Sequence, residues 1–493
     1  MKNYQTGLIH NMANLEEFLS TDKSMIIAPA GYGKTHTIME CLHIVKTGKK
    51  CLILTHTHAG IASIKEKMQK GGINPQRFSI DTISSFALQY ANAFHINKAE
   101  IPKAEDSNDY FNFAIGVATN IFKTKPLRTA IRSSYSMLLV DEYQDCTSLQ
   151  HKMILALSDI LPTHILGDPL QGIFEFRNNT IVDMESDEEM QGLNQNIQTL
   201  DTPWRWNQHG SRELGQALAD IRALLLNGTP INLTNFSPHI NIVIEPENGY
   251  LDPKNNSNQI IWNEISNRNT DSLLFLHPIS TSVYPRITFI QRFNNTVRLI
   301  ESIDDKDYYK FSNYFDTQTG QNVINKIIDF AKSISSKTVI DQWFKDNGTL
   351  KNKRSDEAKI VVQKLQGIVD LIVQQKSFKH IAILITELVQ LPNNKCYRVE
   401  LKKDMVKALE LAHAEENTVY ESMKKNRDIL RRVGRNIKGR CIGTTLLTKG
   451  LEFDVVIILN AHLFTSPKHL YVALTRASKK LIVISQNSTL NPY

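Results

Sequence analysis

Apolar residues in this chain fall in short continuous runs that alternate with stretches of helical spacing. Met25-Ile26-Ile27 is the first run and reads as a buried strand. Ile38, Leu42 and Val45 then recur at the helical period, predicting a helix from Thr35 to Val45 that ends near Gly48. Cys51-Leu52-Ile53-Leu54-Thr55 predicts a second buried strand, followed by a helix from Ile61 to Gln69. Asp81-Thr82-Ile83-Ser84-Ser85-Phe86 predicts another strand-to-helix junction. Met137-Leu138-Leu139-Val140 and His164-Ile165-Leu166-Gly167 predict two more strands, each ending in polar residues. Residues 97–112 are polar and read as an insertion or linker. Residues 305–440 alternate helical patterns with polar breaks such as Asp346-Asn347-Gly348. That region ends strongly basic, with Lys424, Lys425, Arg427, Arg431, Arg432, Arg435, Lys438 and Arg440. The basic run reads equally as a solvated helix face or as a track for phosphates.

A chain of 493 residues exceeds what one core supports, so about two to four domains are expected. Hydrophobic content of 41% with 22% charged residues is ordinary for a globular protein. The net charge of +7 is a mild bias toward a polyanionic partner. The five cysteines (Cys41, Cys51, Cys146, Cys396, Cys441) are scattered and lack metal-ligand spacing, which suits a reducing compartment. The first twenty residues hold no signal-like apolar core, and no run approaches membrane-spanning length. The expectation is a cytoplasmic protein with no membrane partner.

Chemistry enters at Ala28-Pro29-Ala30-Gly31-Tyr32-Gly33-Lys34-Thr35, between the first strand and the first helix. Strand, glycine loop and helix form the context of a phosphate-binding loop. Glycines let backbone N–H groups converge on an anion, and the helix N-terminus adds its dipole. Lys34 is expected to reach the β- and γ-phosphates of ATP, and the Thr35 hydroxyl to ligate Mg2+. Asp141-Glu142-Tyr143-Gln144-Asp145 ends an apolar strand: Asp141 is expected to hold the metal, and Glu142 to orient and deprotonate the attacking water. Gln171, on the polar tip after the next strand, is expected to sense the γ-phosphate. Phe174, Phe176 and Arg177 follow, and they read either as core or as a base-stacking platform. His56 and His58 lack carboxylate or cysteine support for a metal. A helix start carrying Thr and His side chains suits phosphate contact instead.

Taken together, these stretches resemble the UvrD/Rep/PcrA group of superfamily 1 DNA helicases. That group opens its phosphate loop with Ala, as Ala28 does here, and its second acidic motif reads as residues 141–145 do. Gly167 to Arg177 resembles its third motif, with Gly172 for Ser and Phe174 for Tyr. Trp204-Arg205 resembles a Tyr-Arg pair that stacks on adenine and touches the γ-phosphate. Arg292 and Asn294 sit where the family has an Arg-x-Asn strand end. Thr444 to Phe453 resembles the family's Lys-Gly-Leu-Glu-Phe motif, with Gly450 and Glu452 at the nucleotide. Tyr471 to Ala477 resembles its last motif, whose Arg, here Arg476, is a finger on the γ-phosphate.

The resemblance implies an α/β fold of two RecA-like P-loop lobes, parallel sheets flanked by helices, with small, mainly helical insertions. The first lobe is expected over 1–200 with a small insertion near 90–130. The second is expected over 201–493, interrupted by a helical insertion near 305–440. The 107 residues from Lys34 to Asp141 leave room for only a small insertion, and the 239 from Arg205 to Thr444 for a modest one. DNA contacts are implied at His56, Thr57, Thr82, Phe174, Phe176 and Arg177. Leu446 stands where the family has a DNA-contacting His, His56 and His58 replace Phe and Asn, Ser84 replaces a common His, and Tyr32 is bulky where the loop is normally small. The ATP residues are kept and the DNA residues have drifted. The implied activity is ATP-dependent translocation on, or unwinding of, single-stranded or end-containing DNA, 3′ to 5′. The compact size resembles the small UvrD-like subunit of Gabija-type anti-phage systems, whose partner is an OLD/TOPRIM-type nuclease. An ATP-hydrolysing switch for such a nuclease, with little unwinding, and a reduced repair helicase are the alternatives.

Overall fold

The computed structural model describes residues 14–45, 48–95, 107–174, 180–302, 306–433 and 437–493. The fold is α/β, with two six-stranded parallel sheets flanked by helices. The described residues up to Asn248, together with Thr448–Tyr493, form one compact unit, and Gly249–Leu447 form another. The lobe boundary expected at 200/201 therefore differs from the compact units, which join 201–248 and 448–493 to the first 200 residues. The local reason is at the phosphate loop, where the backbone N–H of Arg205 donates to Gly31 O at 3.0 Å.

The first unit is built on β1 (Lys23–Ile27), β2 (Lys50–Thr55), β3 (Phe78–Thr82), β4 (Tyr135–Val140), β5 (Thr163–Gly167) and β6 (Ile197–Thr199), in the order β3-β2-β4-β5-β1-β6. All pairings are parallel. Strands covered by helices on both faces need apolar residues on both faces, which is why β1, β2, β4 and β5 read as unbroken runs. Register aligns Ile27 with Gly167 and Val140 with Ile165, so the chain leaves β1, β4 and β5 at one edge. That edge carries the phosphate loop, the 141–145 turn and the 168–171 turn. Further along the same unit, strands Phe453–Ile458, Ala477–Ser485 and Asn241–Ile244 pair in parallel in that order.

The helix after the phosphate loop runs Lys34–Ile44, within a residue of its expected span. The next helix starts earlier than the apolar spacing suggests, at His58, because Thr57 caps it by accepting from the Gly60 N–H at 3.0 Å. Helices Ile83–Phe94 and Ser107–Phe122 pack through Phe86, Tyr90 and Phe122. The second of these begins inside the polar stretch read as a linker, and residues 97–106 of that stretch lie outside the described residues.

In the second unit, strands Arg298–Leu299, Gly439–Gly443 and Ser272–Leu276 pair in parallel in that order. Helices from Lys306 to Val433 enclose one apolar core that includes Phe311, Phe330, Ile385 and Leu409. Arg292 and Asn294 do not end a strand. Arg292 closes helix Tyr284–Arg292, and Asn294 follows in the left-handed region at φ 53. Among the described residues, not every member of the basic run faces solvent. Arg427 is fully buried, bonded to Asp404 and set 3.9 Å from the Tyr308 ring centroid. Lys425 pairs with Glu415 at 2.9 Å. The side chains of Arg431, Arg432 and Arg435 lie outside the described residues. Among the described residues no helix is long and apolar enough to cross a membrane.

Candidate active site

The loop after β1 is shaped by two glycines in the left-handed region, Gly31 at φ 80 and Gly33 at φ 90. Gly31 is required twice over, because a Cβ there would lie 2.8 Å from Cζ3 of buried Trp206. The loop wraps one side of a cavity of ≈ 630 Å³. Of the expected residues, Ala28, Pro29, Ala30, Gly31, Gly33, Lys34, Thr35, Glu142, Gln171, Trp204, Arg205, Gly450, Glu452 and Arg476 all line it. Two expected residues do not. Tyr32 turns inward, edge-on to Trp206 with ring centroids 6.4 Å apart, which is how the loop accommodates its bulk. Asp141 is buried beneath the cavity wall.

Lys34 Nζ sits 2.6 Å from Glu142 Oε2 and 3.6 Å from Asp141 Oδ1. Burial works to raise Glu142, but the Lys34 and Lys449 ammoniums overcome it and hold the carboxyl down at about 2. Burial lifts Asp141 to about 6 against the pull of the more distant Lys34. Glu142 is thus the more acidic member of the pair. Its backbone is left-handed at φ 55, and Gln144 Nε2 donates to it at 2.5 Å, so its carboxylate is aimed rather than free.

Among the described residues no group of three or more His, Cys, Asp or Glu side chains gathers as a metal cage. A magnesium site built on one hydroxyl, one carboxylate and phosphate oxygens needs none, and Thr35 and Asp141 are the hard oxygen donors such a site uses.

Two arginines complete the wall. Arg205 Nε donates to Glu452 Oε2 at 2.7 Å and Nη1 to Thr475 O at 2.5 Å. Arg476 is almost wholly buried, and burial with Arg205 nearby pushes it down to about 9. Its Nε, Nη1 and Nη2 donate to Val472 O, Leu451 O and Thr475 Oγ1 at 2.9, 3.0 and 3.2 Å. A guanidinium has five N–H groups, so two remain for a ligand.

Sequence reasoning missed the parts that join these elements. Lys449 Nζ reaches both Asp145 oxygens and Gln171 O, each at 2.5 Å, tying the turns after β4 and β5 to the 448–453 segment. Burial pushes Asp145 up to about 7 and Lys449 down. His36, Met39, Lys67, Lys70, Gly71 and Gln208 also line the cavity. Their only sequence signal is that they lie on the helices around the loop.

Of the DNA candidates, His56 and Thr57 follow β2, and Thr82 ends β3 in register with Thr55. His56 is held neutral, pushed down to about 3 by burial and by Lys449, with Nε2 3.5 Å from Cys146 Sγ. Thr82 is buried and caps the helix after β3, accepting from Ser85 N–H at 3.0 Å. Thr57 is exposed at its cap. Phe174 is half-buried beneath Lys449, whose Nζ lies 4.7 Å from the ring centroid. Phe176 and Arg177 lie outside the described residues.

Known proteins resemble this chain in the same segments. An AAA domain model matches residues 11–177, and a UvrD-like helicase C-terminal domain model matches residues 442–484. The Gabija protein GajB of Bacillus cereus (strain VD045) is 23% identical over 435 residues, covering 86% of this chain and 78% of that protein. Among solved structures, Pif1 helicase from Candida albicans is 12% identical, with 97% of this chain and 96% of that one covered at a TM-score of 0.41. The arterivirus nonstructural protein 10 helicase, solved with DNA, is 10% identical at a TM-score of 0.33; 95% of this chain matches, and it spans 62% of that chain. By both domain matches and by similarity along most of its length, the chain is similar to UvrD-like helicases and to GajB.

Proposed function

We propose that this protein hydrolyses ATP with Mg2+ as a UvrD-like DNA helicase or translocase, and that it is the ATPase subunit of an anti-phage defence complex with a nuclease. The observation that carries the reading is the convergence of Lys34, Glu142, Gln171, Trp204, Arg205 and Arg476 on one cavity. Lys34 and the loop N–H groups bind the phosphates, and the Trp204 ring stacks on the base. Thr35 and Asp141 would hold magnesium, which would supply neutralisation of the phosphate charge. Glu142 orients the attacking water and takes its proton. Gln171 fixes the water and γ-phosphate relative to each other. Arg205 and Arg476 stabilise charge that develops on the transferring phosphoryl. The lobe assignment, 1–200 and 201–493 with helical insertions, and the DNA roles of Thr57, Phe174, Phe176 and Arg177 belong to this proposal, as does 3′-to-5′ polarity.

A second reading, a DNA-sensing ATPase that switches the nuclease with little unwinding, is favoured by His56 and Thr82, whose side chains are committed inside the fold. One set of assays tests both: ATP hydrolysis with and without single-stranded DNA, and displacement of a strand from a 3′-tailed duplex. The helicase reading expects stimulation and displacement, and the switch reading expects stimulation alone. Hydrolysis that survives Lys34→Ala ends both. The nuclease role is tested by co-expression with the nuclease encoded beside the gene; a nuclease whose binding and cutting ignore this protein and ATP rules that role out.

A further inference from the structure

Gln171 does not stand by itself at the cavity wall. Its Nε2 donates to Asp168 Oδ2 at 2.9 Å, and Asp168 is fully buried. The other carboxylate oxygen, Oδ1, accepts from the Leu170 N–H at 3.2 Å and from Arg222 Nη2 at 2.7 Å. An ionised carboxylate only accepts, so this contact fixes which end of the Gln171 amide faces Asp168. The NH2 points inward, leaving Oε1 and one N–H for the cavity. Lys449 holds the same residue by its backbone carbonyl at 2.5 Å. Lys449 is itself paired with Asp145, which leaves Arg222 as the cation on Asp168 among the described residues. The guanidinium of Arg222 also lies 5.9 Å from the Tyr471 ring centroid, and Tyr471 Oη accepts from the Ala30 N–H of the phosphate loop at 3.3 Å.

We infer that Arg222, on helix Arg212–Leu226 and not itself lining the cavity, is a positioning residue for hydrolysis: it anchors the Asp168 carboxylate, so that Asp168 holds the Gln171 amide in one orientation. The inference rests on the proposed ATPase reading for its consequence but not for its geometry. Without the guanidinium, Asp168 Oδ1 loses its charged anchor and keeps only the Leu170 N–H among its described donors, so the carboxylate is free to turn. The amide of Gln171 is then released or turned over.

The test compares Arg222→Met, Gln171→Ala and the double variant in steady-state ATP hydrolysis, with a nucleotide-free crystal structure of Arg222→Met. Arg222→Met should lower kcat about tenfold or more with KM for ATP nearly unchanged. In the Gln171→Ala background it should add nothing, because it acts through that side chain. Arg222→Lys should recover part of the loss. The crystal structure should show the Gln171 amide displaced from Asp168. Losses that multiply in the double variant, a KM effect without a kcat effect, or an amide still bonded to Asp168 would each overturn the inference. The crystallographic arm needs no turnover, so absent ATPase in the unaltered protein would sink the functional reading and leave the positioning claim to be judged on its own. Should Arg222→Met not fold, Arg222→Gln keeps a donor without the charge and carries the same comparison.

Discussion

Lys34 and Glu142 are ion-paired at 2.6 Å across the mouth of the phosphate loop. The ammonium expected to clamp the phosphates and the carboxylate expected to activate water neutralise each other until a ligand intervenes. A triphosphate entering this cavity exchanges one anionic partner of Lys34 for another. Binding is therefore opposed by the loss of the pair, and hydrolysis is held off until Glu142 is released to face water.

This exchange separates two variants. Glu142→Gln should bind ATP at least as tightly as the unaltered protein, because Lys34 no longer has a carboxylate to leave. It should hydrolyse about 10²-fold or more slowly, having lost the base. Lys34→Ala should lose both affinity and turnover. Calorimetry with ATP and single-turnover hydrolysis read the two steps; weaker ATP binding in Glu142→Gln would contradict the pairing account.

Gly31→Ala tests the shape of the loop rather than its charge. The substitution places a Cβ at φ 80, where L side chains are strained, and 2.8 Å from the Trp206 ring. Trp206 cannot simply retreat, since it is buried and its Nε1 donates to Ala477 O at 2.8 Å. A stability loss of about 1–3 kcal/mol is expected, with ATP affinity reduced as well. Equilibrium urea unfolding and nucleotide binding measure it, and an unaltered Gly31→Ala protein would mean the loop is looser than its packing indicates.

The parts of this site that were legible from sequence are those whose chemistry is local. β1 and the loop after it are a continuous apolar run followed by glycines, and nothing distant alters that reading. The same holds for the acids after β4 and for Gln171 after β5, because parallel strands deliver their ends to one edge. Tyr32 was misjudged because its direction depends on Trp206, far along the chain. Arg292 and Asn294 were misjudged because a short motif does not distinguish a strand end from the last turn of a helix. Lys449, Arg222 and the burial of Arg427 were not legible at all. Each is defined by a partner more than twenty residues away, Asp145, Asp168 and Asp404 respectively.

His164 gives the first unit a dependence on pH. Its Nδ1 is 2.7 Å from Ser24 Oγ, whose hydroxyl donates to Phe18 O, so Nδ1 carries the proton of the neutral ring. Nε2 is buried with no hydrogen-bond partner among the described residues, and burial pushes the ring down to about 4 from 6.5. Above pH 6.5 the ring is neutral folded or unfolded. As pH falls the unfolded ring takes its proton first, so the unfolded state binds more protons and stability declines. The decline should reach at most about 3 kcal/mol and level off below the folded value. His164→Asn, which keeps a donor for Ser24 and does not titrate, should flatten the fall in stability between neutral and acid pH relative to the unaltered protein. Identical slopes for the two proteins in urea unfolding would exclude this ring as a source.

Arg476 lies in the same compact unit as Lys34 and lines the same cavity. What restrains it is its own bonding: three N–H groups are committed to Val472 O, Leu451 O and Thr475 Oγ1. Those bonds orient the plane of the guanidinium while leaving two N–H groups for the developing charge on a transferring phosphoryl. Burial makes that charge more effective, because little water screens it, and it also makes the arginine costly to hold without an anion, as its lowered pKa records. Arg476→Ala should leave nucleotide affinity nearly intact and cut hydrolysis by about 10³-fold or more, as loss of an arginine finger does. Arg476→Lys should rescue little, since one ammonium cannot satisfy two carbonyls, a hydroxyl and a phosphate in the same geometry. The measurement is ATP affinity, single-turnover hydrolysis and the rise in Tm on adding ATP, each with and without single-stranded DNA. Near-normal hydrolysis in Arg476→Lys would show that the site needs only a positive charge there, and the oriented-guanidinium account would have to be abandoned.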